Sequence, residues 1–209
     1  NAIPVSIGPI VEDLNTSATS VGTALGFYSL FVAAFVMLGA KLGKIFGARL
    51  VFQIMALAHG AAMLVMASSP NAETMNLAQA LAGLAAAALV PTLVVLIAAN
   101  YHDKQQAQAL GIMAGTPAIS GALAFFIAGL LGTLLSWRFS FGLLSVLSVI
   151  VFILSFRLTA IPRQSGVKID FVGVLLSAVA IILISLGFNN LNEWGVVLAK
   201  PDAPISLLG

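Results

Sequence analysis

Long apolar runs alternate with short polar breaks along the whole chain. Six of the runs, at residues 20–40, 50–67, 76–99, 107–131, 139–158 and 171–188, come close to the roughly 20 helical residues that cross a bilayer core. They lack the period-two alternation, in segments of about ten residues, that a membrane barrel requires. The pattern therefore predicts an all-α, polytopic membrane helix bundle. A shorter apolar stretch, residues 1–11, is read as the tail of an earlier span, so the six complete runs count as spans two to seven. The only break with the character of a boundary lies at residues 162–168. Residues 1–161 are accordingly expected to form an N-terminal transmembrane bundle with span one truncated. Residues 162–209 are expected to hold a cytoplasmic linker, a seventh helix and the outer loop after it.

Composition supports lipid as the solvent. Of the 209 residues, 60% are hydrophobic and 8% charged, whereas a soluble domain carries about 25% charged residues. So few charges cannot build a water-facing shell, and a hydrocarbon-facing exterior needs none. The charges also order the spans. Lys41, Lys44, Arg49, Lys104, Arg157, Arg163 and Lys168 fall on one side if the spans alternate. The other side holds Glu12, Asp13, Glu73, Glu193 and Asp202, with Arg138 and Lys200 as its only basic residues. The positive-inside rule puts the basic side, including residues 41–49, in the cytoplasm of a cell (plasma or inner) membrane.

Several chemistries are set aside. There is no cysteine, which excludes disulfides and cysteine-held metals. No basic cluster is interleaved with aromatics, so nucleic acid is not expected as a partner. The chain has no phosphate-binding glycine loop and no His-Glu-x-x-His motif, and His59 and His102 lie far apart. Neither a cofactor nor a metal is expected, and an integral-membrane enzyme is the last-ranked reading.

Ionisable residues inside a span mark function by default, because a charge at mid-bilayer costs about 2.5–3.5 kcal/mol. The complete spans hold no Asp, Glu, Lys or Arg near their centres. His59, in the middle of span three, is the one titratable residue deep in a span. It is a candidate proton relay, set against a neutral histidine bonded between helices. Tyr28 and Gln79 are candidate pathway residues, each equally suited to interhelical hydrogen bonding. Thr116 and Ser120 could also line a pathway, although such hydroxyls commonly bond back to their own helix. Pro91 removes a backbone donor and is expected to kink or loosen span four. Gly111 and Gly115 form a small-xxx-small pair suited to close helix packing.

Taken in order, short motifs along nearly the whole chain resemble the major facilitator superfamily, and within it the drug:proton antiporters with about fourteen spans. Asn1-Ala2-Ile3-Pro4 followed by Ile10-Val11-Glu12-Asp13-Leu14 is similar to the end of that family's first span. Residues 41–49 lie where the family keeps a loop signature, matching at Leu42, Gly47 and Arg49. Gly83 and Pro91 match the fourth-span signature, Trp137-Arg138-Phe139-Ser140-Phe141 the aromatic-arginine corner before span six, and Asp170-Phe171-Val172-Gly173 the start of an extra helix. The resemblance implies the N-terminal six-helix half of a major-facilitator-type fold plus one additional helix. It also implies a central pathway shared with a C-terminal half, and a gating role for Leu42, Lys44, Gly47 and Arg49. Departures accompany it. The family's loop acid falls on Lys44, its membrane arginine on Gln79, and, counting back from Trp137, its fifth-span glycine-proline pair on Ala124-Phe125, with Gly129 retained; a similar stretch, Gly111 to Gly121 with Pro117, lies about four turns nearer the cytoplasm.

Two functional readings stay open. The first is a secondary active transporter that exports amphipathic or drug-like compounds by alternating access in exchange for protons. The second is a membrane protein of the same fold without proton coupling, either a facilitator or a non-transporting sensor or partner. Membrane lipids are expected partners in both, and Lys41, Lys44 and Arg49 would touch their headgroups.

Overall fold

The computed structural model describes residues 2–163, 166–167 and 169–189. Lys168, Glu193, Lys200, Asp202 and the outer loop expected after the seventh helix lie outside the described residues. The chain forms α1 (Ile3–Asp13), α2 (Ala18–Phe46), α3 (Ala48–Ala67), α4 (Ala72–Asn100), α5 (Asp103–Leu134), α6 (Trp137–Leu154) and α7 (Phe171–Asn189), with a 3-10 turn at Ser155–Arg157. Helices α2 to α6 are each long and apolar enough to cross a membrane, and Phe171–Ile184 of α7 is a shorter apolar helix.

Each apolar run becomes one helix, and most overshoot the run because polar residues cap them. Asn71 accepts hydrogen bonds from the Thr74 amide and hydroxyl, both at 2.9 Å, and so starts α4 four residues before the apolar run. Ser17 caps α2 through the Ser20 amide, Ser136 caps α6 through the Arg138 amide, and Asp170 accepts from the Gly173 amide at the start of α7. A side-chain oxygen at this position satisfies an amide that has no partner within the helix.

The expected loop at residues 41–49 is not a loop. Helix α2 runs on through Leu42 and Lys44 to Phe46, and α3 begins at Ala48, so Gly47 alone separates them. Lys41, Leu42 and Lys44 are good helix formers and outweigh Gly43. The chain turns at Gly47 because its φ of +95° suits a residue without a β-carbon. Lys44 therefore sits in the last turn of α2, where a cation complements the helix dipole.

Helices α2 and α4 lie side by side in the same direction, with Tyr28 beside Gly83, Gly39 beside Ala87 and Ala88, and Gly43 beside Thr92. Helix α3 packs against α4 and α6, and α7 packs on α2. The alternation inferred from the charges holds for the described helices. One end of the bundle gathers the α2–α3 corner, the end of α4 and the residues after α6. The other gathers the ends of α1 and α3 and the starts of α4 and α6.

The buried core follows this division. Toward the α1 end, Ile3 and Ile10 meet Val21, Met63, Met66, Met75, Trp137 and Phe141, while Ala48, Phe52 and Leu96 form a small cluster at the other end. Most large apolar side chains outside these clusters are exposed, as expected of a surface solvated by hydrocarbon. Helix α5 is the least embedded of the long helices, with Ala128 its only fully buried described residue.

Candidate functional site

The α2–α4 seam carries the first group of predicted residues. A β-carbon on Gly83 would lie 2.5 Å from the Tyr28 carbonyl oxygen and 3.0 Å from Phe31. A β-carbon on Gly39 would collide with the Ala87 carbonyl oxygen and lie 2.6 Å from the Ala88 α-carbon. These glycines let the two backbones touch, which supplies packing energy where no hydrophobic force acts between helices. Gln79 is 1% exposed on α4, one turn before Gly83, beside the buried Ala78 and Ala82. Tyr28 is half-buried against the same core. Tyr28 and Gln79 thus belong to one region of one seam.

Thr116 and Ser120 do not join them. Both are exposed on α5, and each hydroxyl donates to its own helix, Thr116 to the Ile112 carbonyl at 2.7 Å and Ser120 to the Pro117 carbonyl at 3.3 Å. The Gly111 and Gly115 pair also meets no other helix among the described residues. A β-carbon on Gly129 would lie an ordinary 3.8 Å from Val5, where α5 approaches α1.

Pro91 does not interrupt α4, which stays helical from Ala72 to Asn100. The proline leaves the Ala87 carbonyl without its usual amide donor four residues on. That same oxygen lies in the β-carbon direction of Gly39, so a glycine Cα–H points at it, a weak but real hydrogen-bond geometry. Thr92, beside the proline, donates its hydroxyl to the carbonyls of Ala88 and Leu89 at 2.6 and 3.0 Å.

His59 is half-buried on α3, and its Nδ1 lies 3.2 Å from the Ser148 hydroxyl of α6. The neighbouring Gly60 makes this reach possible, because a β-carbon there would stand 3.0 Å from Ser148 Cβ.

The gating candidates spread around the α2–α3 corner. Lys44 is exposed. Leu42 lines a cavity of about 440 Å³ between α2, α3 and α4, walled by apolar side chains and glycine. Gly47 is buried with the Ile161 carbonyl close by. Arg49 donates to the Phe156 carbonyl at 2.9 Å and stands over the Phe156 ring. Nearby, the Asn100 side-chain oxygen accepts from the Thr159 amide at 3.2 Å. Arg49 thereby ties the start of α3 to the 3-10 turn after α6, and Asn100 ties the end of α4 to the segment beyond that turn.

The opposite end holds a constellation whose parts are visible in the sequence but whose pairing is not. Arg138 donates to Asp13 Oδ2 at 2.8 Å and to the carbonyls of Ala67 and Ser69, both at 2.9 Å. The Trp137 indole donates to the same Asp13 oxygen at 3.0 Å, and the guanidinium lies 4.6 Å above the indole ring. This clasp joins the ends of α1 and α3 to the start of α6. The acid closing the first-span motif and the tryptophan-arginine pair opening span six were its only sequence signals. Buried polar atoms of Ser6, Gln53, Asn76 and Ser140 were also missed; they have no hydrogen-bond partner among the described residues, and no motif marks them.

No His, Asp or Glu cluster suited to a metal occurs among the described residues. The chain resembles known proteins in both fold and sequence. A solved peptide transporter POT in complex with alafosfalin superposes with a TM-score of 0.68 at 16% identity, covering 90% of this chain and 43% of that one. The puromycin resistance protein pur8 of Streptomyces alboniger is 27% identical over 92% of this chain and 39% of its own length. The cephamycin export protein CmcT of Amycolatopsis lactamdurans is 26% identical over 99% of this chain and 43% of its own length. The quinolone resistance protein NorB of Staphylococcus aureus (strain JH9) is 27% identical over 92% and 42%, respectively. The chain thus spans about two-fifths of the length of these relatives. The sequence profile of the Major Facilitator Superfamily matches residues 1–201, and with the helix bundle already described this means that the chain belongs to that superfamily.

Proposed function

We propose that the protein is a secondary active transporter that exports amphipathic or drug-like organic molecules, and that this chain supplies its N-terminal half and first additional helix. The superfamily match over residues 1–201 carries the reading, and relatives named for antibiotic resistance and export support the substrate class. Transport then proceeds by rocking of this bundle against a C-terminal half around a pathway near the membrane midplane. Tyr28 and Gln79 on the α2–α4 seam, and Thr116 and Ser120 on the open side of α5, are the pathway residues in this reading. Protons drive the export. The α2–α3 corner faces the cytoplasm, where its cations meet anionic lipid headgroups.

Sealed everted vesicles containing the intact protein test this with ethidium as the cargo. Accumulation that requires an imposed pH gradient is the expected result. Accumulation that ignores the gradient removes the proton coupling, and no accumulation of any drug-like cation removes the transporter reading. Sidedness is tested separately, in an intact protein whose cysteines outside this chain are replaced, this chain having none. Cysteines introduced as Lys44→Cys and Glu73→Cys should label from opposite faces of sealed cells.

A second reading, the same fold without proton coupling, is favoured by one observation. Every described Asp and Glu lies near a helix end or in a connection, and Lys44 and Gln79 replace charged family positions. Under this reading, Lys44→Asp and Gln79→Arg together raise gradient-dependent export. Unchanged export means that the losses are compensated.

A further inference from the structure

Helices α4 and α6 both lie on α3, and among the described residues no α-carbon of one comes within 8 Å of the other. The gap between them is a trough of about 300 Å³ with Phe52, Ala56 and His59 of α3 along its floor and Ser148 in the α6 wall. Val90 and Leu147, which also line it, are about half exposed, so the trough opens outward to the lipid. Its volume falls at the lower end of small-molecule sites, which begin near about 300 Å³.

One polar atom sets the chemistry of an occupant. The Ser148 hydroxyl has a single proton and gives it to the Leu144 carbonyl at 3.0 Å. With that proton committed to Leu144, the oxygen is left to accept from His59 Nδ1, 3.2 Å away, in the tautomer protonated at Nδ1. A neutral imidazole protonated at Nδ1 carries a lone pair at Nε2, and Nε2 makes no hydrogen bond among the described residues. His59 is near the middle of the 20-residue helix α3, at a depth where lipid tails offer no donor. An acceptor left there without a partner is unfavourable, and an acyl chain does not relieve it.

We infer that the α3–α4–α6 trough is a lateral binding site for a membrane-dissolved amphiphile with one hydrogen-bond donor, a hydroxyl or N–H group, on an apolar body, the donor seated on His59 Nε2. The site needs only the membrane-embedded fold and does not rest on the transport reading, so either can fail without the other.

The test uses the intact protein in phospholipid nanodiscs with a pyrene label at the trough, on Leu147→Cys, since Trp137 and Trp194 of the chain would fluoresce alongside a tryptophan reporter. A second protein carries its label elsewhere on α3, on Leu64→Cys, and corrects for partitioning into the bilayer. Three brominated quenchers are titrated: 4-bromophenol, which donates; 4-bromoanisole, which only accepts; and 4-bromotoluene, which does neither. The expected result is saturable quenching at the trough reporter that favours the phenol over both analogues by about threefold or more, the size of one interhelical hydrogen bond in lipid. The preference should vanish when His59→Phe is added. Equal quenching by all three overturns the inference, as does a phenol preference that survives His59→Phe or the absence of saturable quenching. If the His59→Phe protein does not fold, the comparison of phenol with anisole on the unaltered histidine decides alone.

Discussion

The two ends of the bundle are held together by different chemistry. At the α1 end, one carboxylate oxygen of Asp13 receives both the Arg138 guanidinium and the Trp137 indole, and Arg138 also holds the carbonyls of Ala67 and Ser69. At the α2–α3 end, Arg49 binds a neutral carbonyl, and Asn100 accepts from a backbone amide. Among the described residues, Asp13–Arg138 is the one ion pair. The arginine that departs from the charge asymmetry is thus neutralised where it stands. Lys41, Lys44, Arg49, Lys104, Arg157 and Arg163 have no carboxylate partner among the described residues and stay available to lipid phosphates. A basic residue in a membrane protein can therefore be a fastener or a topological marker, and its partner reveals which.

Substitutions that remove each fastening in turn test this contrast, with thermal unfolding of the intact protein in nanodiscs as the measurement. The largest effect is expected in the seam that serves both ends. Gly39→Leu drives a side chain into the α4 backbone at Ala87 and Ala88, and overpacking against a backbone that cannot yield costs about 3 kcal/mol or more. Little change there would mean that α2 and α4 can separate freely.

Arg138→Ala comes next. It strips Asp13 and two carbonyls of their donor, but the side chains are 31% and 46% exposed, so the loss is about 1–2 kcal/mol after allowance for solvent. Asp13→Asn keeps an acceptor for Trp137 and loses the charge, for about 1 kcal/mol. Arg49→Ala removes one bond to a neutral carbonyl at the other end, for about 0.5 kcal/mol. Equal losses for Arg138→Ala and Arg49→Ala would erase the proposed difference between the ends.

Much of the architecture was legible because hydrocarbon imposes a simple rule: a crossing backbone must satisfy its own hydrogen bonds over a fixed thickness. The apolar runs, their number and their alternation follow from that. Helix ends followed less well, since Asn71 and Ser17 extend helices beyond the apolar residues, and residues 41–46 form helix despite their charges. The pairing of side chains was not legible. Asp13 and Arg138 lie 125 positions apart, and only the packing of α1, α3 and α6 brings them together. Glycine spacing was a poor guide for the same reason: Gly111 and Gly115 have the small-xxx-small spacing and meet nothing, whereas Gly39 and Gly83, 44 positions apart in the sequence, both carry the seam. Of the pathway candidates, Tyr28 and Gln79 share a region, while Thr116 and Ser120 are satisfied within α5. His59 has the interhelical partner that its chemistry suggested, although nothing in the sequence named Ser148.

Helix α4 lacks a rung of its ladder at Pro91, and the freed oxygen is the one that Gly39 of α2 leans on. A bend in α4 at this level would stretch one ladder bond fewer than in an unbroken helix. The neighbouring helix would register such a bend through direct backbone contact. The tightest point of the seam thus coincides with the missing rung, a pivot through which a tilt in one helix would pass to the other.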